Sequence, residues 1–591
     1  MRIVLGQLTP TIGALDDNMA ALTLTIEQAK AQGADLVVFS EMVVSGYPPK
    51  DLLLEPDFVQ ACLNANHELA KASDDGLMVI WGNLAQNPAQ TDQPLLNAAM
   101  VAVGGQLTAT IAKHHLPIYD VFNDRRYFAS PHADAPEKLA IEALTVTHKG
   151  CRMVVTVCED IWSHPALYGP VAKEHPEISP TTVQLVQKRP YPTNVLTQLP
   201  HHAFDLLVNL SASPFAGGKP PMRLALLSQI AQQQQKPVVY VNQAGAHDDV
   251  VYDGHSCLSW PNGAQWVANG FVQETSVVDL APMPEPDAMP PPISITDAQY
   301  TLFEALTLGI RDYVQKTGFE RVLVGLSGGV DSALVATLAT EALGAQHVTG
   351  VAMPGPYSSA HSLTDARLLA KNLGIDLLEY PITEPFYSML GSIGQAKGDL
   401  KQDLAEQNLQ ARLRGQLLMT LSNRNQALVL ATGNKSELAV GYSTMYGDSC
   451  GALAPIGDLL KTEVYQLCRW LNAHLAADPQ HPLIPETVLS KAPSAELAPN
   501  QRDSDTLPPY EVLDALIRAV VIDGLDFENC LGLGYDQATV EWVIRRIHTQ
   551  EYKRQQYPPI LKVSKKAFGS GRLYPLAQQV PLPGRLSPRP Q

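Results

Sequence analysis

The chain has 591 residues, 45% hydrophobic and 17% charged, with 42 basic against 59 acidic side chains and a formal net charge of −17. At roughly 100–200 residues per domain this length calls for more than one domain, and the acidic balance argues against a nonspecific binder of nucleic acid or anionic membrane. No apolar run approaches the ~18 residues of a membrane span, and seven scattered cysteines without a CxxC pair suggest neither a disulfide framework nor a zinc knuckle, so a reducing cytoplasm is the expected compartment.

The opening residues "MRIVLGQLTPTIG" are too short and too weakly basic for a signal peptide and read as a first strand. A helix is expected from Asn18 to Gly33. Short apolar strands follow in "ADLVVFSE", "LMVIWGNL", "NAAMVAV", "RMVVTVCED", "FDLLVNLSAS" and "PVVYVNQAG". The proline-rich stretch 163–203 interrupts this series as an insertion. His114-His115 and His201-His202 are adjacent pairs that do not share a helical face, so they are not read as metal ligands. Asp279 to Asp297, "DLAPMPEPDAMPPPISITD", is rich in proline and acid and reads as a semi-rigid linker. The expected domains are therefore 1–278, with the 163–203 insertion, and 298–591.

Beyond the linker, strands and helices are expected to alternate strictly. "RVLVGLS" leads into a helix from Asp331, then "HVTGVAMP", then the helix "SLTDARLLAKNLG" with a capping box at Ser362 and Asp365 and a stop at Gly374, then "DLLEYPI". This is the pattern of a doubly wound parallel sheet. The tail "PLPGRLSPRPQ" is expected to fray.

The string "VGLSGGVDS" places Gly328 and Gly329 between a strand and a helix, where backbone N–H groups and the helix dipole can hold phosphate. Two glycines alone would make only a plain turn. A Walker loop would carry Lys-Ser/Thr where Asp331 and Ser332 stand, because it grips a phosphoryl group in transit. An enzyme that releases pyrophosphate must instead hold the leaving group and neutralise it with a divalent cation, for which Asp331 is a candidate ligand.

In the first half, "VVFSEMVVSGYP" places Glu41 after one strand, "IAKHHLPIYDVFNDRRYF" places Lys113 after another, and "MVVTVCEDIW" places Cys158 after a third. Each alone has an ordinary reading: a helix cap, a surface ammonium, a small core residue. Together they suit amide hydrolysis, with the thiolate as nucleophile, the carboxylate taking its proton and the ammonium stabilising the oxyanion.

SGGVDS resembles the pyrophosphate loop of the N-type ATP pyrophosphatases. "EQNLQARLRG" (406–415), "LATGNKSELAVGYSTMYGDSCGALAPIGDLLKTEVY" (430–465) and "EYKRQQYPPILKVSKKAFG" (551–569) resemble the synthetase domain of glutamine-dependent NAD+ synthetases through almost all of 298–575. The three first-half strings, with "VNLSASPFAGGK" and "VNQAGAHDDVVYDGHS", resemble the Glu-Lys-Cys amidases of the nitrilase superfamily over about 1–275, a four-layer α-β-β-α sandwich acting here as glutaminase. The resemblance implies that Glu41, Lys113 and Cys158 are catalytic and that Tyr119, Glu159, Ser213 and Lys219 bind glutamine. It implies that Gly325, Leu326, Ser327, Gly328, Gly329, Val330, Asp331, Ser332 and Thr432 bind ATP. Asn408, Arg412, Glu437, Lys553 and Lys566 would face deamido-NAD+, and Asp331 with Glu437 would hold Mg2+. "VFNDRRYF" departs from the family's usual Asp-Glu, so that Asp124 is one methylene shorter than the expected second glutamate, and "AGAHDD" departs from "GGQDE". The implied reaction is ATP- and glutamine-dependent amidation of deamido-NAD+ to NAD+ through an adenylate. It brings the expectation of an ammonia channel, a homo-oligomer, small-molecule substrates only and no nucleic-acid or membrane partner. Amidation of xanthylate or aspartate is the neighbouring alternative, paired in those families with a different glutaminase type. A free-standing amidase with a nucleotide-sensing second half is another.

Overall fold

The computed structural model describes residues 1–74, 76–89, 92–130, 141–163, 195–196, 203–286, 288–396, 400–476 and 482–579. Apart from residues 163, 195–196 and 203, the insertion lies outside them, as do His201-His202 and the tail from 580. The chain divides into two compact units, Met1–Ala305 and Leu306–Gln591.

The first unit holds two six-stranded sheets. One contains β1 (Arg2–Gln7), β2 (Leu36–Phe39), β3 (Met78–Gln86), β4 (Leu95–Val103) and β5 (Gln106–Ala112) in that order, with β14 (Glu274–Asp279) antiparallel to β1 at the far edge. The other runs β13-β12-β9-β8-β7-β6, from β13 (Gln265–Val267) and β12 (Cys257–Ser259) through β9 (Val238–Asn242), β8 (Leu206–Ser211) and β7 (Cys151–Val157) to β6 (Thr145–His148). A small ribbon pairs β10 (Ala244–His247) with β11 (Val250–Asp253). The period-2 alternation of side chains splits each strand between two apolar layers. Ile3, Leu5, Leu36, Val38, Met78 and Ile80 enter the layer shared with Met153 and Val155 of the second sheet. Val4, Val37, Phe39, Val79 and Trp81 face Leu22 and Ile26 of α1 (Leu15–Ala31) and Leu69 of α2 (Pro56–Lys71). On the outer face of the second sheet α3 (Lys219–Gln234) buries Leu226, Leu227 and Ile230 in the same apolar cluster as that sheet's strands. The result is the expected α-β-β-α sandwich. Strands buried on both faces read as unbroken apolar runs, which is why they were legible.

The segment 279–297 begins as the last residue of β14. Met289 and Ile295 pack on the sandwich core, and Ser294 Oγ lies 2.8 Å from His255 Nε2.

The second unit is built on a fully parallel sheet, β17-β16-β15-β18, with β15 at Val322–Gly325, β16 at Val348–Ala352, β17 at Asp376–Glu379 and β18 at Leu428–Leu430. β15 is followed by α4 (Val330–Leu343) and β16 by α5 (Ala360–Leu373). α6 (Leu404–Asn425) precedes β18, and α7 (Lys435–Val440) follows it. The strand order reverses at β15, so the loops after β15 and β18 open side by side at the carboxyl ends of adjacent strands, the usual crevice for ligands in open α/β sheets.

Two expectations are corrected here. The N-cap of α5 is Ser359, whose side chain accepts from the Ser362 N–H, while Ser362 and Asp365 lie inside the helix. Ser359 takes the extended backbone a cap needs, and Asp365 turns instead to Lys491 at 3.0 Å. The alternation also stops at β18. After it the described residues carry helices, among them α8 (Lys461–His474), α9 (Tyr510–Ile517) and α10 (Gln537–Thr549), and no further strand of the sheet.

Candidate functional site

In the first unit, three strands end just before the three candidate residues. β2 ends at Phe39, two residues before Glu41; β5 at Ala112, before Lys113; β7 at Val157, before Cys158. All three side chains are buried. Glu41 Oε1 accepts from Lys113 Nζ and from Asn97 Nδ2, each at 2.7 Å, and its Oε2 accepts from the Ala212 N–H at 3.0 Å. Three donors fix the carboxylate with no freedom to rotate. Gly82 permits the approach: a Cβ there would lie 2.4 Å from Met42 N and 2.5 Å from Glu41 Cα.

Lys113 has a second carboxylate, Asp124, at 2.7 Å, and Asp124 also accepts from Tyr47 OH at 2.8 Å. The shorter side chain does reach. Burial opposes the Lys113 charge, yet Asp124 and Glu41 outweigh it and hold the ammonium protonated. Burial likewise pushes the Asp124 carboxyl up, against the pull of Lys113.

Cys158 sits at φ +42, opening a tight turn to Ile161. Burial and the Glu41 charge push its thiol well above the ordinary range, while Lys113 and Lys219 pull the other way. Cys158 is therefore held as a thiol, and to act as a nucleophile it would need a base. Asp160 secures the turn, which the sequence reading did not anticipate. Its Oδ2 accepts from Val157 N–H at 2.9 Å, and its Oδ1 from His114 N–H at 3.0 Å and His115 N–H at 2.9 Å. One carboxylate thus ties the cysteine turn to the chain leaving Lys113, and gives the two histidines a backbone part. Tyr119 OH donates to Glu159 at 3.0 Å. Lys219 Nζ donates to Pro214 O at 2.8 Å and stands over the Trp162 ring at 5.2 Å. The Ser213 N–H is held by Asn242 Oδ1 at 2.8 Å. Tyr47, Asn97 and Asp160 carried no sequence signal, since each is an unremarkable residue until folded.

In the second unit a cleft of about 740 Å3 opens at the reversal of strand order. Gly325, Leu326, Ser327, Gly329, Val330, Asp331, Ser332, Asn408, Arg412, Thr432, Glu437 and Lys553 line it. Gly328 shapes the loop rather than the wall. It has φ +75, and a Cβ there would meet Ser362 O at 2.4 Å. Lys566 is not among the lining residues, and its ammonium donates to Gly571 O.

Asp331 lies in the first turn of α4, and Asn434 caps α7, its side chain receiving the Glu437 N–H at 3.0 Å. Asn434 Nδ2 also donates to Asp331 at 3.0 Å, so the two helix starts are joined across the cleft floor. Lys461, unselected by sequence though inside a quoted string, is the cation of the cluster. Its Nζ lies 2.5 Å from Asp331 and 3.7 Å from Glu437. Burial works against that charge, and the two carboxylates more than restore it. Glu437 is left short of positive charge: burial first, then Asp331, push its carboxyl up to about 8. Arg412 Nε donates to Met445 O at 3.3 Å, Asn408 accepts from Thr444 Oγ1 at 2.8 Å, and Lys553 donates to the Gly441 and Ser443 carbonyls at 2.7 Å each.

The carbon-nitrogen hydrolase family profile matches residues 2–283, and that of NAD synthase residues 302–557. A glutamine-dependent NAD(+) synthetase of Synechocystis sp. is 39% identical over 586 residues, 98% of each chain. The chain belongs to the glutamine-dependent NAD(+) synthetase family. One of Thermotoga maritima is 37% identical over 98% of this chain and 99% of its own. The solved structure of the Acinetobacter baumannii synthetase with ADP aligns at a TM-score of 0.68 and 33% identity, covering 97% of this chain and 98% of the other. The protein is thus a ligase-type enzyme whose family carries out ATP- and glutamine-dependent amidation of deamido-NAD+, and the alternatives on xanthylate or aspartate fall away. Among the described residues no helix is long and apolar enough to cross a membrane.

Proposed function

We propose that residues 1–278 form the glutaminase and 298–591 the synthetase, joined by 279–297, and that the two clusters described above are their active sites. The observation that carries this reading is the pairing in one chain of a buried thiol–carboxylate–ammonium set with an acid-bearing glycine loop. Glutamine enters beside Tyr119, Glu159, Ser213 and Lys219. Glu41 takes the Cys158 proton as sulfur attacks the carboxamide carbon, and Lys113, held charged by Glu41 and Asp124, faces the developing oxyanion. The proton returns to the leaving ammonia, and Glu41 then activates water against the thioester.

At the second site the loop Gly325–Ser332 and Thr432 hold ATP. The nicotinate carboxylate of deamido-NAD+, placed by Asn408, Arg412 and Lys553, attacks the α-phosphorus and pyrophosphate leaves. Ammonia adds to the adenylated carbonyl and AMP departs. Lys461 meets the phosphate charge. Asp331 and Glu437, two carboxylates with one ammonium between them, are a donor set that fits Mg2+ held by few protein ligands. When bound, Mg2+ supplies charge neutralisation for the pyrophosphate. Lys566, whose ammonium donates to Gly571 O, stands outside the residues that line the cleft.

Ammonia is mostly protonated at neutral pH and would be lost to water. The reading therefore includes guarded transfer between the sites, in a cytoplasmic homo-oligomer without nucleic-acid or membrane partners. The test is product analysis. AMP and pyrophosphate should form from ATP only when deamido-NAD+ is present. ADP formation, or AMP without the acid substrate, would refute the adenylation route. Full capture of glutamine-derived ammonia by an external scavenger would refute guarded transfer.

A further inference from the structure

The Lys461–Asp331–Glu437 cluster depends on two helices, α7 and α8, keeping one relative setting. Glu437 comes from α7 and Lys461 is the first residue of α8. A third helix, α9, meets both. Asp514 on α9 is buried, and one of its oxygens accepts from Ser436 Oγ, the residue before Glu437. Its other oxygen accepts from the Thr462 N–H at 2.8 Å, the residue after Lys461. Ser436 Oγ in turn accepts from the Lys461 N–H at 2.9 Å. Ser436 is itself fully buried. Asp514 and Ser436 thus satisfy two of the orphan donors at the start of α8 with a bridge that starts one residue from Glu437.

The same helix touches the other end of Lys461. Tyr510 lies one turn before Asp514, on the same face of α9. Its ring underlies the Lys461 ammonium at 5.4 Å, and its hydroxyl donates to Asp503 at 2.8 Å. α9 therefore fixes both the backbone and the side-chain end of this lysine, although Asp514 itself is not among the residues lining the cleft.

We propose that Asp514, acting through Ser436, is a positioning residue that sets the distance between Lys461 and Glu437, and so the grip of the cleft on the ATP phosphates. This rests on the reading of the cleft given above. Asn at 514 keeps the size but replaces one acceptor with a donor, so either Ser436 or the Thr462 N–H loses its partner inside the fold.

The experiment uses the full-length enzyme with ammonium chloride as nitrogen source, so that the glutaminase is bypassed. Asp514→Asn and Ser436→Ala should each raise the KM for Mg-ATP by about tenfold, the size expected when one buried donor or acceptor loses its partner. The KM for deamido-NAD+ should stay near the wild-type value, as should glutamate release from glutamine. Because both variants cut one bridge, the double variant should be no worse than the worse single one. Should Asp514→Asn fold poorly, Ser436→Ala, which removes one oxygen, carries the test alone. A merely structural role would lower melting temperature and active fraction while leaving the KM for Mg-ATP unmoved, and that result would overturn the proposal. Lys461→Met separates the two levels. If it leaves the KM for Mg-ATP unchanged, the reading of the cleft is wrong and the bridge falls with it. If it raises that KM while Asp514→Asn and Ser436→Ala do not, only the bridge is wrong.

Discussion

Gly82 offers a test of the glutaminase that touches no catalytic atom. In Gly82→Ala the new methyl would lie 2.4 Å from Met42 N, 2.5 Å from Glu41 Cα and 2.7 Å from Glu41 C, all backbone. Relief to ordinary contact needs a displacement of about 1 Å, the scale at which a misplaced catalytic group costs about 10²-fold. The strand cannot simply slide. Gly82 N–H donates to Ser40 O at 3.1 Å, and the Glu41 carboxylate is tied to Asn97, Lys113 and Ala212. Overpacking of this kind costs about 1–3 kcal/mol of stability, which a domain of this size tolerates. The assay is glutamate release from glutamine, with ammonium-driven NAD+ formation as internal control. The first should fall by about 10²-fold and the second should hold, since ammonium chloride bypasses the glutamine reaction. Unchanged glutamate release from a folded Gly82→Ala enzyme would refute the argument that Glu41 is held in one position.

Further outcomes follow from the same geometry. Gly328→Ala, strained at φ +75 and blocked by Ser362 O, should impair NAD+ formation from both glutamine and ammonium and leave glutamate release intact; assaying the three rates decides it. Asp124→Asn should lower glutamate release by weakening the charge that holds Lys113, with ammonium-driven synthesis unchanged. Glu437 gives a pH dependence. Burial and Asp331 raise its carboxyl from 4.5 to about 8, so between those values the folded protein binds the extra proton, and stability falls as pH rises through that window. In metal-free buffer Glu437→Gln should therefore melt higher than wild type above pH 8 and alike near pH 5, while losing synthesis; equal melting at both pH values would contradict the burial argument.

Both candidate sets stood out in the sequence because their members follow closely on apolar strands, and a strand's end is where such folds place chemistry. The glycine loop was legible because its Asp331 breaks the Walker pattern. What escaped was the support. Asp160, Asn97 and Tyr47 act across 45, 56 and 77 positions of sequence on His115, Glu41 and Asp124, and no local period marks such partners. Lys461 lay in a quoted string but was passed over, because a lysine at a helix start reads as surface. It is instead buried, and made tenable by two carboxylates brought from 130 and 24 positions away. The edge strand β5, "QLTATIA", was legible only at its end before Lys113, because its other residues are polar or half-exposed, which blurs its apolar pattern. The cap of α5 was misplaced by three residues because three serines at 358, 359 and 362 compete for it, and only backbone geometry chooses Ser359.

The central claim is that one chain carries two separable chemistries, with Cys158 serving only the first. It is tested most directly by NAD+ formation from deamido-NAD+ and Mg-ATP, with either glutamine or ammonium chloride, in wild type and Cys158→Ala. The account predicts that the variant loses the glutamine-driven reaction and keeps the ammonium-driven one. A variant that still makes NAD+ from glutamine, or that loses both reactions while folded, would contradict it.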